Sequence, residues 1–210
     1  MSLNEIFKKK KFPIFTCVLV LLCIAVAIAE YKIPWLYSYG ALWTDKRRAW
    51  QYVSFLFTHG NEPSGVLFVH LGMNLLGLIP FGILCEKVLG TMRTISIFVV
   101  QWCVTVGLFL LIGKDTSIAG ISTVVYAYAA IAFACFIKVA KHSKRVIWKN
   151  LLTYYFMIEF IGIISTLNPI TMSGLGICLH TSGFVVGGIF AIVYHKKIKN
   201  SLEVVEGEIR

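Results

Sequence analysis

Residues 120–127 read Gly-Ile-Ser-Thr-Val-Val-Tyr-Ala, a turn of small residues that runs directly into an apolar segment. Ser122 stands at the point of entry. Apolar segments long enough to cross a bilayer lie on both sides, so this serine is predicted to begin a membrane helix. Two other segments, residues 70–74 and 180–187, carry histidines together with asparagine or glycine. We expect these three pieces to meet at one site.

The composition indicates a membrane protein. Of the 210 residues, 58% are hydrophobic and only 14% are charged, whereas a soluble domain of this size needs more polar surface. The net charge of +10 would suggest a nucleic-acid partner in a soluble protein. Here the basic residues cluster beside apolar runs, which is typical of contacts with anionic lipid headgroups and of topology signals. We therefore expect membrane lipid as a partner and no nucleic acid.

The cysteines give no sign of a disulfide framework or a zinc site. All six fall in or at the ends of apolar runs, and none shows a C-x-x-C or metal-type spacing. They are predicted to be small, buried, reduced residues. Their positions are Cys17, Cys23, Cys85, Cys103, Cys135 and Cys178.

Six apolar runs have the length of membrane spans and predict an all-α polytopic membrane protein, a bundle of six transmembrane helices. The predicted spans are Phe12–Ala29, Val66–Leu84, Ile95–Ile112, Ser122–Ala140, Leu151–Leu167 and Leu175–Tyr194. The first run also resembles a signal peptide, but its length and the five later spans favour a helix. The long connection 30–65 is rich in Trp and Tyr, which predicts a segment in the headgroup region.

The distribution of basic residues predicts the orientation. With the N-terminus inside, 15 of the 20 Lys and Arg residues fall in cytoplasmic segments and the other five in outer segments. The expected organisation is a cytoplasmic segment 1–11, one membrane domain 12–195 and a cytoplasmic tail 196–210. We expect a multi-pass protein of a bacterial plasma membrane with both termini cytoplasmic.

Polar residues gather near one surface in this topology, because the second, fourth and sixth spans all run inward from the outer face. His70 and Asn74 share a helix face in the first turns of the second span. Ser122 begins the fourth span, and His180 lies about 8 Å below the start of the sixth at ~1.5 Å per residue. Each has a structural alternative: a helix cap, a headgroup contact or a bond between helices. Polar groups in a bilayer cost free energy, so several on converging helices indicate a functional site.

Small residues favour close contact between two of these spans. The sixth span carries them on the face of His180, and the fourth carries them below Ser122. If these faces meet, the imidazole lies beside the serine, and Tyr126 lies near enough to hold its orientation. The small residues are Gly183, Gly187, Ala127, Ala130 and Ala134.

The residue types point to hydrolysis by a nucleophile and a base. A serine hydroxyl becomes nucleophilic when a base takes its proton, and histidine is the usual base near neutral pH. Neither Asp115, in a loop, nor Glu159, in the middle of the fifth span, is placed to complete a triad. A Ser122–His180 dyad is therefore predicted. The Ser122 N–H and the side chains of segment 70–74 can donate to a tetrahedral oxyanion.

At these residues the chain resembles the rhomboid family of intramembrane serine proteases, over about residues 48–195. The motifs that carry the resemblance are Trp50-Gln-Tyr52, Phe57-Thr-His59, His70-x-x-x-Asn74, Glu86-x-x-x-Gly90, Gly120-Ile-Ser122-Thr-Val-Val-Tyr126 and His180-x-x-Gly183-x-x-x-Gly187. The resemblance implies that Ser122 is the nucleophile and His180 the general base. It implies that His70, Asn74 and the Ser122 amide are the oxyanion donors. It also implies cleavage of single-span membrane proteins near the outer face, without metal or cofactor.

Three features depart from the family pattern. Thr123 stands where many members carry glycine, which predicts a more crowded substrate pocket or an altered specificity. Gln51 replaces the arginine often found after the loop tryptophan. The ten residues between His59 and His70 form a longer connection than usual. None of these departures removes a reacting group.

Two other functions stay open on the sequence alone. A catalytically inactive rhomboid-like protein would bind membrane helices without cleaving them. A small transporter or proton relay would use His70, His180 and Glu159, although no inverted repeat supports it. The sequence carries no signal for an oligomeric state.

Overall fold

The computed structural model describes residues 12–60, 64–142 and 173–207. Its helices and strands, in chain order, are α1 (Ile14–Lys32), α2 (Leu36–Gly40), β1 (Leu42–Trp43), α3 (Gln51–Ser54), α4 (Ser64–Leu89), α5 (Thr91–Ile112), β2 (Ser117–Ile118), α6 (Ser122–His142), α7 (Gly174–Val193) and α8 (His195–Gly207).

The described chain is a helical membrane bundle, as the apolar runs predicted. Four helices, α1, α4, α5 and α7, are long and apolar enough to span a bilayer, and α6 adds a shorter apolar helix over Ser122–Lys138. The chain is therefore a multi-pass integral membrane protein. The predicted fifth span, Leu151–Leu167 with Glu159, lies outside the described residues, as do segment 1–11 and residues 208–210.

Helix α6 lies at the centre of the described bundle and packs against α4, α5 and α7. Its side chains are buried around most of its circumference, including the large Tyr128 at 0% exposure. A helix that is apolar on all sides is stable only in the interior of a bundle. Because Ser122 begins this helix, the serine is held by the most enclosed element of the described fold.

The opposite end of the bundle is tied together by one carboxylate. Glu86 near the end of α4 accepts hydrogen bonds from the Phe15 and Thr16 N–H groups, at 3.1 and 2.9 Å. It also accepts from the Thr16 and Thr91 hydroxyls, at 2.9 and 2.8 Å. The first N–H groups of a helix have no partner within the helix. Glu86 therefore caps α1 from a neighbouring helix, and Gly90, at φ +88°, turns the chain into α5.

A small antiparallel ribbon, not expected for an all-α chain, fixes the first loop over the Ser122 end. Strand β1 pairs with β2 so that Leu42 faces Ile118 and Trp43 faces Ser117. The Gly120 N–H also donates to the Phe55 carbonyl at 2.7 Å. The long loop and the turn before Ser122 are therefore one unit.

Helix α8 continues the chain beyond α7 and packs on the Glu86 end of the bundle. Ile198 and Leu202 are buried, and the Ser201 hydroxyl donates to the Val88 carbonyl at 2.7 Å. Lys138 of α6 donates to the His195 carbonyl at 2.8 Å. The predicted tail 196–210 thus begins as a docked helix.

Candidate active site

The structure brings Ser122 and His180 into direct hydrogen-bond contact. Ser122 is the first residue of α6, and His180 lies in the second turn of α7. The Ser122 Oγ lies 2.7 Å from the His180 Nε2, across 58 residues of sequence. This is the distance of a normal O–H···N bond. A proton can pass directly between these two atoms.

Two glycines permit this contact, because they let α7 lie against the backbone of α6. A Cβ on Gly183 would collide with the Thr123 carbonyl oxygen and would lie 2.8 Å from the Tyr126 Cβ. A Cβ on Gly187 would collide with the Ala127 carbonyl and would lie 2.8 Å from the Ala130 Cβ. No side chain larger than hydrogen fits at either position without moving the helices apart.

The ring of Tyr126 holds the imidazole in place from below. It stacks on the His180 ring with centroids 4.4 Å apart and planes inclined by only 7°. Phe184 in turn meets Tyr126 edge to face, with centroids 5.1 Å apart. Flat stacking restricts tilting of the imidazole, which keeps Nε2 directed at the serine.

Because Gly120 has no side chain, His70 and Asn74 can lie against the turn that precedes Ser122. The Gly120 φ of +101° is a conformation that other residues rarely adopt. A Cβ at this position would lie 2.9 Å from the His70 Nε2 and 3.3 Å from the Asn74 Nδ2. Asn74 is 4% exposed, and its Nδ2 has no hydrogen-bond partner among the described residues. The site therefore holds a buried donor that is free to bind an incoming oxygen.

A second histidine fixes the ring of His70. The His70 Nδ1 lies 2.6 Å from the His59 carbonyl oxygen, which can only accept, so Nδ1 carries the hydrogen. The His59 and His70 rings meet at an angle of 62° with centroids 5.4 Å apart. The His59 N–H donates to the buried Glu30 carboxylate at 3.0 Å. This bond ties the loop to α1.

The dyad opens into a cavity of about 370 Å³. Its wall includes both dyad residues, His70 and Gly120. It also includes residues of the first loop and of the start of α7. A space of this volume, partly lined by hydroxyl and imidazole groups, can admit water and a short extended peptide segment. Asp115 is exposed in the loop before β2.

Two residues of this neighbourhood were not singled out from the sequence. Thr105 of α5 lines the cavity, and Gln101 lies one turn away from it on the same helix. The signal was present, since Gln101 and Thr105 are polar at i and i+4 within an otherwise apolar span, as His70 and Asn74 are. In the part of the chain that the structure describes, no three His, Cys, Asp or Glu residues are placed to hold a metal ion.

Comparison with known proteins gives two findings. The sequence model of the Rhomboid domain family matches residues 46–197. The chain is also similar to a curated protein from Haemophilus influenzae named rhomboid protease GlpG. The two are 27% identical over 194 residues, a region that covers 90% of this chain and 94% of the relative.

Proposed function

Because this chain belongs to the rhomboid family, we propose that it is an intramembrane serine endopeptidase that cleaves single-span membrane proteins with a Ser122–His180 dyad. The observation that carries the proposal is the 2.7 Å contact between the Ser122 Oγ and the His180 Nε2. The curated relative, named a protease, supports the same activity.

In the proposed first step, His180 takes the hydroxyl proton of Ser122 as the oxygen attacks the scissile carbonyl carbon. The proton moves from Oγ to Nε2 along the bond already present, and the imidazole then gives it to the leaving amine. The Tyr126 ring below supports the imidazole in both protonation states. Water entering through the cavity then hydrolyses the acyl-enzyme, with His180 again acting as the base.

The negative charge on the carbonyl oxygen needs donors. The N–H of Ser122, at the start of α6, has no partner within the helix and lies at the positive end of the helix dipole. The Asn74 Nδ2 is a second donor, since it is buried and unpaired in the described structure. The His70 Nδ1 is committed to the His59 carbonyl, so its Nε2 donates only when the imidazole carries a second proton.

The substrate is proposed to enter from the membrane and to be cut near the outer face. Both dyad residues lie within the first two turns of their helices, so the scissile bond must reach the Ser122 end of the bundle. A helical substrate hides its carbonyl groups in its own hydrogen bonds. We therefore expect cleavage where a single-span segment unwinds easily near its outer end.

A fluorophosphonate probe tests the proposal directly, because it reacts with an activated serine and needs no known substrate. The wild-type protein in detergent should be labelled, and Ser122→Ala and His180→Ala should not. Ser96→Ala is the control, because Ser96 is exposed and its hydroxyl donates to the Met92 carbonyl of its own helix. A folded wild-type protein that resists the probe, or cleavage that persists in Ser122→Ala, would overturn the proposal.

The alternative is a rhomboid-like protein that binds membrane helices without cleaving them. The feature that favours this alternative is Thr123, at a position where many family members carry glycine. In the structure the Thr123 hydroxyl bonds Thr105 at 3.0 Å, and the contact between Ser122 and His180 is intact. A panel of single-span substrates separates the two functions, since the alternative predicts co-purification without cleavage products.

A further inference from the structure

Four polar side chains from three helices form a hydrogen-bonded network next to the dyad. The Gln101 Nε2 donates to the Thr105 Oγ1 and to the Ser182 Oγ, both at 3.1 Å. The Thr105 and Thr123 hydroxyls lie 3.0 Å apart. Gln101 and Thr105 are 0% and 1% exposed, and Thr123 is 5% exposed. Ser182 is half-buried, and Thr105 and Thr123 also line the cavity. The network therefore lies between the helices at the wall of the cavity.

The two ends of this network lie beside the two reacting residues. Thr123 directly follows Ser122, and Ser182 lies two residues after His180. The segment that carries the nucleophile is thus connected through Thr105 and Gln101 of α5 to the segment that carries the base. The only covalent path between these two segments is the long stretch of chain from α6 to α7.

Close packing alone does not fix how α6 and α7 are turned relative to each other. At Gly183 and Gly187 the helices meet through backbone and methyl groups, which set how closely they approach. Such contacts are not directional, whereas hydrogen bonds weaken steeply as their angle changes. A third helix that bonds both partners therefore restricts the rotation that would separate the Ser122 hydroxyl from the His180 imidazole.

Thr105 is the centre of the network. Its Oγ1 accepts a hydrogen bond from the Gln101 side-chain amide. The same Oγ1 lies 2.9 Å from the Gln101 backbone carbonyl and 3.0 Å from the Thr123 hydroxyl. The Ser182 hydroxyl donates to the Leu179 carbonyl at 2.6 Å, which fixes it to the turn that holds His180. Removal of the Thr105 hydroxyl would detach Thr123 from Gln101.

We propose that Gln101, Thr105, Thr123 and Ser182 are positioning residues that keep Ser122 and His180 in reacting geometry. This inference rests on the proposed function for its catalytic consequence. It also gives Thr123 a role, because the hydroxyl joins the nucleophile's helix to α5.

The test compares Thr105→Val, which keeps the shape and removes the hydroxyl, with Thr105→Ser, which restores it. Thr94→Val is the matched control, since Thr94 is a buried threonine of the same helix whose hydroxyl bonds the Gly90 carbonyl. For each variant, kcat and KM are measured on a synthetic single-span helix in liposomes. The rate of fluorophosphonate labelling and the thermal unfolding midpoint are measured alongside.

Thr105→Val should lower kcat and the labelling rate together by about tenfold, because small displacements of reacting groups are costly. KM should stay within about twofold, and Thr105→Ser should recover most of the loss. Gln101→Leu should show the same kinetic loss with little loss of stability, because it also removes an acceptor, Oε1, that has no partner among the described residues.

Three results would overturn the network without touching the proposed function. The first is that Thr105→Val is labelled at the wild-type rate. The second is that Thr105→Val changes KM but not kcat. The third is that Thr94→Val loses as much activity as Thr105→Val. A spectroscopic measurement tests the network even if the wild type is unreactive. The ¹⁵N shift of the His180 Nε2, which reports its bond to Ser122, should move in Thr105→Val and return in Thr105→Ser. An unchanged shift would contradict the proposal.

Discussion

The Asn74 carboxamide and the His70 imidazole border the same turn but differ as donors. Nδ2 of Asn74 always carries hydrogens and is unpaired in the described structure, whereas His70 has its Nδ1 hydrogen bound to the His59 carbonyl. A neutral donor that needs no additional proton is available at every turnover. Asn74 should therefore carry the larger share of oxyanion stabilisation.

Replacing Asn74 by leucine, which has a similar shape, should lower kcat by about 10²-fold and leave KM almost unchanged, as is typical for loss of an oxyanion donor. Steady-state cleavage of a single-span substrate measures both constants. Met73→Leu, at the exposed neighbouring position, is the control. A rise in KM without a fall in kcat would instead place Asn74 in substrate binding.

His59 is a buried histidine in the loop outside the spans, and it makes stability depend on pH. Burial, together with the nearby His70, lowers its pKa from 6.5 to about 4, although the bond to the Phe57 carbonyl opposes the shift. The unfolded chain therefore takes up this proton at a higher pH than the folded chain does. The stability is complete above pH 6.5 and is lost as the pH falls towards 4.

The expected loss across that pH range is roughly 3 kcal/mol from His59. Thermal unfolding at a series of pH values measures it, and His59→Gln supplies the comparison because the amide does not titrate there. Two other titratable groups face His59, namely Glu30, which accepts from its N–H, and His70. Both remain in the variant, so the difference between the two curves reports the titration of His59, including its interaction with His70. Parallel curves for the two proteins would contradict the assignment.

Among the elements, the contact between α6 and α7 depends most on the absence of a side chain. Gly187→Ala should destabilise the fold by about 1–3 kcal/mol, because the new methyl group collides with the Ala127 backbone. Gly188→Ala is the matched control, since a Cβ there meets no atom within 4 Å. The control should be neutral or more stable by up to about 1 kcal/mol, because alanine favours helix. Equal unfolding midpoints for both variants would contradict the packing argument.

The Glu86 cap should be the main attachment of α1 at its first turn. Glu86→Gln keeps the shape of the side chain but replaces one carboxylate oxygen with an NH₂ group. That NH₂ group would face N–H and O–H donors, so at least one of the present hydrogen bonds is lost. We expect a loss of roughly 3 kcal/mol, since hydrogen bonds to charged groups contribute about 1.5–3 kcal/mol each. Thr91→Val, which removes only one of the bonds, should cost less. Chemical denaturation in detergent measures both variants.

The elements were predictable because long apolar runs leave a bilayer-spanning chain little choice but helix. The sequence also predicted that the spans of Ser122 and His180 meet through small residues, since close approach of two helices needs glycine or alanine. It did not anticipate the ribbon of Leu42–Trp43, whose partner is supplied by a segment far along the chain. Nor did it find the bond from Gln101 to Ser182, because the polar pair at 101 and 105 predicts a polar helix face but not its partner on another helix.

At the scale of the whole molecule, the first loop contributes to the cavity wall and is held in shape by contacts of Gln51 and Arg48. Gln51, in place of the arginine common in the family, accepts from the Arg48 N–H at 2.9 Å and donates to the Tyr39 carbonyl at 3.2 Å. The Arg48 guanidinium lies over the rings of Tyr39 and Trp50, 5.1 and 5.3 Å from their centroids. The first loop therefore still contains a guanidinium, three positions before Gln51, and it packs on two aromatic rings of the same loop.

The distribution of charge predicts how the two ends of the molecule are oriented in the membrane. The Ser122 end carries the loop and the cavity, and the Glu86 end carries α8 with its exposed Lys196 and Lys197. Basic residues are retained on the cytoplasmic side, so the catalytic end is predicted to face outward. Alkaline phosphatase fused after residue 115 should then be active, and a green fluorescent protein fused after residue 207 should fluoresce in cells. The reverse pattern would place the dyad on the cytoplasmic side and exclude cleavage near the outer face, even if the dyad itself were reactive.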